Sequence, residues 1–300
     1  MPITLTNIPR IMRKQSPPWL NGARLLEQWF PRPVAINPNY GPPDTTTIRM
    51  DSFVLTFPRG RQAYDRIMNE QLWTTPNARR QIIDLLDRNG RLAGAASAFG
   101  NLTGSVPQID PDHITEVAVV GDVLADPFDD MRAALFNFTL RVLVAGTVTP
   151  VSQSRWQVLV QQVGVYVRDS FDFEGNQFLG YWDDTADIFY PINPGIPELV
   201  PVGNADFRTW RQNNGTGGDF LVFSDVKPTT LAHHHLVDVG AADVLVGRLP
   251  GSIPPRPWPW RSTDAQQRWH LEFTTEHVCM DRTECHGQYA DADGPIHCRS

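Results

Sequence analysis

Asp169, Asp172 and Glu174 fall together in Asp169-Ser170-Phe171-Asp172-Phe173-Glu174-Gly175-Asn176, where a strand pattern runs into a tight turn. In a strand Asp169 and Asp172 point to opposite faces, so the turn would have to bend them together. Brought together, they could hold Mg²⁺ or Ca²⁺, or divide acid and base roles. An EF-hand loop is excluded: with Ser170 at its first position the glycine fits, but Tyr181 then stands where the bidentate Glu must be. The structural alternative is a hairpin turn whose Asp and Asn side chains cap backbone amides.

His233-His234-His235 is a second candidate. In a strand His233 and His235 share a face, and with Asp238 they would make a two-imidazole, one-carboxylate set for Zn²⁺. No Glu base stands beside them in a helical metalloprotease pattern. A third set is the tail, with His270, His277, Cys279, Cys285, His286, His297 and Cys298. Its spacing matches no zinc finger, and a reduced, unstructured tail is the alternative. The run Asn213-Asn214-Gly215-Thr216-Gly217-Gly218-Asp219 precedes a strand pattern rather than opening a helix. It therefore reads as a hairpin loop and not as a phosphate cradle. Nucleophilic catalysis has little support: there is no Gly-x-Ser-x-Gly elbow, and Ser224-Asp225 near the histidines is a trio that any long chain offers. Pro18-Trp19 and Trp258-Pro259-Trp260 could form a ledge for glycans or a proline-rich strand, or pack stiff segments onto the sheet.

The elements that must position these residues follow from apolar spacing. Residues 1–45 read as an arm punctuated by prolines, with a short helix at 22–30 whose Leu25, Leu26, Trp29 and Phe30 share a face. Thr47 to Phe57 nearly alternates and reads as a strand. Tyr64, Ile67, Met68 and Leu72 mark a helix. Thr75 then caps a second helix that has Pro76 at its first position and stops at Asn89-Gly90. Residues 93–111 read as a loop. From about 113 to 248 the pattern is β. Phe136 to Val144 alternates without a break, and Val158/Val160 and Val163/Val165/Val167 lie in opposite phase, which calls for a bulge near Gln161-Gln162. Further strands are expected at Phe178–Trp182, Phe220–Phe223 and Val237–Val246.

Composition narrows the function classes. The chain has 300 residues, 41% hydrophobic and 20% charged, enough apolar area for a sizeable core. Its 26 prolines make stiff loops. A net charge of −7 without a basic stripe excludes an ordinary nucleic-acid binder. No run approaches the length of a membrane helix, and the start lacks a signal-peptide pattern. The expected location is the cytoplasm, or export without a cleaved signal. The three cysteines all lie in the tail, so the main fold does not rely on disulfides.

Val165-Tyr166-Val167-Arg168-Asp169-Ser170-Phe171-Asp172-Phe173, followed by Gln177-Phe178-Leu179-Gly180-Tyr181-Trp182, resembles the mid-chain signature of an uncharacterised bacterial family, domain-of-unknown-function family 6402. Asn204-Ala205-Asp206-Phe207-Arg208, Gly217-Gly218-Asp219-Phe220-Leu221-Val222-Phe223-Ser224-Asp225 and Met50-Asp51-Ser52-Phe53-Val54-Leu55-Thr56-Phe57-Pro58-Arg59 resemble it too. The resemblance implies a companion of type VI secretion systems, and it carries over no catalytic residue. A weaker likeness is to colicin M-type toxins, which cleave the lipid-linked peptidoglycan precursor with an Asp-x-Tyr-Asp motif followed by His-Arg. Asp169-Ser170-Phe171-Asp172 is similar and Arg208 could stand for the arginine, but Phe171 replaces the tyrosine and Phe207 the histidine. In that case the carboxylates would bind Mg²⁺ and Arg208 would steady a phosphoryl oxyanion.

The expected fold is α+β: an N-terminal arm and helical pair packed on a mainly antiparallel sheet or partly closed barrel. Residues 1–257 would form one domain (arm 1–45, strand and helical pair 46–111, β-rich part 112–257), with an extension at 258–300 whose end, 280–300, lacks fixed structure. The expected function is that of a type VI secretion-associated cargo or accessory protein that binds a partner protein, such as a component of the secretion system. The alternative is a metal-dependent hydrolase or phosphodiesterase toxin acting on the cell envelope through Asp169, Asp172 and Arg208.

Overall fold

The computed structural model describes residues 3–34, 41–121, 126–192, 194–197 and 199–247. The Pro- and Trp-rich stretch at 254–260, the boundary at 257 and the His/Cys tail lie outside the described residues.

Within the segment expected as an arm, two helices pack into the core. Helix α1 (Ile8–Lys14) takes Pro9 in its first turn, where a missing N–H costs nothing, and buries Ile8 and Ile11. Helix α2 (Leu20–Trp29) turns Ala23, Leu25, Leu26 and Trp29 inward, the face its spacing dictates. Residues 47–57 are a correction: they form turns and a short 3-10 helix at Val54–Thr56, not a strand. Their apolar alternation is real, and Ile48, Met50 and Val54 are fully buried. The amides of Phe53 to Phe57, however, close onto carbonyls three to five residues back, and others are bound by carboxylates rather than by a neighbouring strand. Asp44 accepts from Thr46 and Thr47, and Asp225 accepts from Met50.

Helix α3 (Pro58–Asn69) carries the Tyr64/Ile67 stripe. Helix α4 (Pro76–Arg88) begins as expected, with Thr75 Oγ1 accepting from the Ala78 N–H at 3.2 Å. A short strand β1 (Ser97–Phe99), a helical turn α5 (Val106–Ile109) and strand β2 (Thr115–Val119) follow. Helix α6 (Asp130–Leu135), within the region expected to be β, leads into β3 (Phe138–Ser152) and β4 (Arg155–Phe171). The rest is β5 (Phe178–Asp183), β6 (Ile188–Tyr190), β7 (Val200–Gly203), α7 (Asn204–Asn214), β8 (Phe220–Phe223), β9 (Lys227–Gly240) and α8 (Ala241–Gly247). The strand expected at 237–246 thus ends at Gly240, and α8 takes its second half.

Strands β3 and β4 form a long antiparallel ribbon and the centre of the larger sheet. Beside β3 lie β2 and β1; beside β4 lie β8 and β9. Ala145 pairs with Gln162 but Gly146 pairs with Val160, so Gln161 is the extra residue of a bulge. That bulge switches the inward set from Val158/Val160 to Val163/Val165/Val167, and all five are buried. The fold is α+β, as the patterning implies. One face of the sheet packs on α1 to α4 and α6 through the main core. The other face carries a smaller cluster in which Leu143, Tyr166 and Phe223 pack under Leu102, Val106 and Ile109. A separate three-stranded sheet, β6-β5-β7, packs Trp182 and Phe189 against Trp19.

Helices α2 and α6 approach closely. Asp130 accepts from the Asn21 and Gly22 N–H groups at 2.9 and 2.8 Å, capping α2 with a carboxylate at the favourable end of its dipole. A Cβ on Gly22 would stand 2.6 Å from the Ala133 Cβ and 3.0 Å from its backbone carbon. Gly22→Ala should therefore destabilise the protein by about 1–3 kcal/mol, overriding a helix-propensity gain of about 1 kcal/mol. Denaturant unfolding checks this, and a stabilised variant would show that the helices can separate at no cost.

Candidate functional site

Strand alternation places the side chains at the end of β4. Val167, Asp169 and Phe171 share the face of the main core, and Tyr166, Arg168 and Ser170 share the other. Asp169 lies opposite Val222 of β8 and is half-buried. Asp172 follows the strand, and its Oδ1 accepts from the Glu174 N–H at 3.1 Å, the turn-capping bond expected of an Asp there. Asp169 and Asp172 lie within electrostatic range of each other. Arg208 does not join them. Its guanidinium donates to the carbonyls of Phe173, at 2.7 Å, and Gly175, fixing the turn backbone.

The guanidinium in range of Asp172 belongs to Arg211, one helical turn further along α7. Arg211 donates to Asp219 Oδ1, which also accepts from the Trp29 indole N–H at 2.9 Å. Arg211 and Asp219 are both buried. Among the described residues, Asp219 Oδ2 and Arg211 Nε find no hydrogen-bond partner. Segments far apart in sequence thus converge: α2 supplies the indole, the turn after β4 a carboxylate, α7 the cation, and the start of β8 its counter-ion. The glycine-rich loop joins α7 to β8 and is not the expected hairpin loop. Gly217, at φ +99°, lies flat on Trp29, where a Cβ would be 2.6 Å from the indole.

Burial raises the pKa of Asp169 well above the carboxylate range. The Asp172 charge adds to this, against the Ser170 N–H and the Arg168 charge. Asp172 is also raised, again chiefly by burial, with the Glu174 N–H and Arg211 opposing. Asp219 is pushed up to about 6 by burial and by Asp172, although the indole and Arg211 pull it down. Asp44 shows what full hydrogen bonding does instead. Burial raises its pKa, but donors from Thr47, Gln28 and Thr46 outweigh burial and leave the pKa lowered. The Asp169/Asp172 end of the sheet therefore holds carboxyl groups that keep their protons more readily than ordinary ones, the condition for acid–base work.

The histidine set is not assembled. His235, Val237 and Val239 alternate with Leu236 and Asp238, so Asp238 points to the sheet face opposite His235. Four β9 residues lie between His235, paired with Val160, and Thr230, paired with Gln162, so His233 and His234 fall in an irregularity of the ladder. Among the described residues no group of three or more His, Cys, Asp or Glu is arranged to hold a metal ion. Ser224 is fully buried: its Oγ accepts from the Val167 N–H and donates to the Asp225 carbonyl, a structural role. On the opposite sheet face lies a network that the sequence reading missed. Asp110 accepts from Tyr166 at 2.6 Å, and both its oxygens accept from Arg141 Nη1, while Arg141 Nε donates to Glu116 at 2.9 Å. Arg211 was missed because α7 was not recognised. Once it is a helix, the i, i+3 spacing from Arg208 sets Arg211 one turn along.

The family described as "Family of unknown function (DUF6402)" matches residues 3–193 and 195–239. Comparison with curated proteins and with solved structures gives no match. Among the described residues no helix is long and apolar enough to cross a membrane.

Arg211→Ala should destabilise the protein by about 3–5 kcal/mol at neutral pH, because the Asp219 charge would be left buried without its partner. The loss should shrink below pH 6, where Asp219 takes up a proton; thermal unfolding across pH checks this, and a pH-independent loss would contradict it. For Asp169 the folded pKa lies above the unfolded one, so its stabilising contribution is full below the unfolded pKa and is lost as pH rises through the folded value. Asp169→Asn should therefore raise stability at neutral pH and flatten that dependence, as read from the unfolding midpoint.

Proposed function

The chain belongs to the DUF6402 family of unknown function, and we propose that it works by binding a partner protein, as a cargo or accessory protein of a type VI secretion system. The observation that carries the binding part is how the polar side chains around the β4–β5 turn are engaged. Arg208 grips the turn carbonyls, Asp172 caps the turn, and Arg211 with Asp219 and Trp29 ties α7 to α2. These bonds hold β5, β7 and α7 in a fixed relation, which suits a preformed docking surface. The secretion link rests on the sequence resemblance alone. A pull-down with purified secretion-system components should retain at least one of them, and retention of none would remove this reading.

A second reading is a hydrolase or phosphodiesterase toxin acting on a cell-envelope substrate. What favours it is the half-buried pair Asp169 and Asp172, both with raised pKa values. Asp169 would donate a proton, Asp172 would serve as base or Mg²⁺ ligand, and Arg211 would take the part first given to Arg208. A metal ion there would need further ligands from water or substrate. Growth of a bacterial host making the protein in the cytoplasm or the periplasm, beside Asp172→Ala, separates the readings. Killing by the intact periplasmic form alone supports the enzyme, and no killing in either compartment supports partner binding.

A further inference from the structure

The three-stranded sheet has two unlike faces. On the inner one Trp182 and Val202 are buried, and the Trp19 ring lies 4.9 Å from Phe189 and 6.3 Å from Trp182. On the outer one Tyr181 pairs with Tyr190 on one side and Pro201 on the other, so the three side chains stand in one row across the sheet. Phe178 sets its ring edge-on to Tyr181, with centroids 5.1 Å apart. None of these four side chains joins the buried core. Phe178 is 45% exposed, and Ile192, just past β6, is 76% exposed. Tyr181 and Tyr190 are half-buried, and a row of partly exposed rings beside an exposed phenylalanine is what interface hot spots are made of.

The sheet is held rigidly from behind. Asp184 accepts from the Thr4 N–H and the Asn7 side chain, and Asp187 pairs with Arg10 and Lys14 of α1. Those acids are neutralised or hydrogen-bonded. Three others around the outer face lack an ion-pair partner among the described residues. Asp183 shares the face of Tyr181 and accepts only from the Thr185 and Ala186 N–H groups. Asp206 accepts from the N–H of Gly203, the strand partner of Phe178, and Glu174 is exposed at the turn that opens β5. The Arg208 guanidinium at this turn is engaged by the Phe173 and Gly175 carbonyls and the Asn176 side chain and makes no ion pair with the three among the described residues.

We infer that the outer face of β5–β6–β7 is a docking surface for an extended, arginine-bearing segment of a partner protein. This rests on the partner-binding reading above and names its surface and the chemistry of its partner. Guanidinium groups are weakly hydrated and stack on aromatic faces, so they suit Tyr181, Tyr190 and Phe178. Their charge answers Asp183, Glu174 and Asp206, and an acidic or purely apolar segment would meet the wrong field.

The test titrates a fluorescently labelled peptide of alternating proline and arginine with the full chain, reading anisotropy at low and moderate salt. The same peptide with glutamate for arginine is the control. The arginine peptide should bind and the glutamate peptide should not. Phe178→Ser combined with Tyr181→Ser should weaken binding about tenfold. Glu174→Gln, an exposed change that leaves folding intact, should weaken it and reduce its salt dependence. The inference falls if both peptides bind alike, if the arginine peptide does not bind, or if neither Phe178→Ser nor Glu174→Gln changes the affinity by more than about twofold. The pull-down separates the two readings. A secretion component that Phe178→Ser still retains fully would show partner binding at another surface. Arginine-peptide binding without any captured component would keep this surface and remove the secretion reading.

Discussion

One oxygen of Asp219 receives both the Trp29 indole and the Arg211 guanidinium, and the Phe173, Phe207 and Phe30 rings meet that indole edge-on. Phe173 and Phe207 lie parallel with centroids 3.9 Å apart. The node joins four segments that have no local reason to meet. Desolvating the two charges costs several kcal/mol each, and the attraction between them recovers this only with good geometry. Here two polar atoms remain unmatched, so the pair adds little net stability over a well-packed apolar replacement. What it does add is definition: a buried cation and anion tolerate only one arrangement of α2, α7 and β8, whereas apolar side chains alone would tolerate several.

That definition is passed outward. Arg208 sits one turn before Arg211 on α7 and fixes the β4–β5 turn, and the Asn204 side chain reaches the Glu174 carbonyl across the same gap. The small sheet is therefore anchored at one end through α7 and at the other through α1. The large sheet needs no such anchoring, because the β3–β4 ribbon buries valine and leucine along most of its length.

Elements governed by local physics were legible in the sequence. The Thr75-Pro76 start of α4 needed only capping chemistry, and the phase change between Val160 and Val163 located the bulge at Gln161. Residues 47–57 were misread because the Thr47 and Met50 amides bind Asp44 and Asp225, the latter distant in sequence, while those of Phe53 to Phe57 close local turns, and apolar alternation is silent about both. Helix α7 was missed for a related reason. Asn204, Thr209, Asn213 and Asn214 are poor helix formers, and the burial of Phe207 and Arg211 sustains the helix. The two carboxylates of the candidate site were visible as residues, but which arginine faces them depended on that helix.

The contact between α1 and the β5–β6 hairpin also sets an order of events during synthesis. Arg10 and Asp187 are 177 residues apart. At ordinary ribosomal speed the helix waits roughly 10 to 35 seconds for its partner to emerge. Through that interval α1 can pack on α2, which follows it directly, but lacks the hairpin that its Arg10 and Lys14 will hold. A contact that closes so late in synthesis is a point at which aggregation competes with folding.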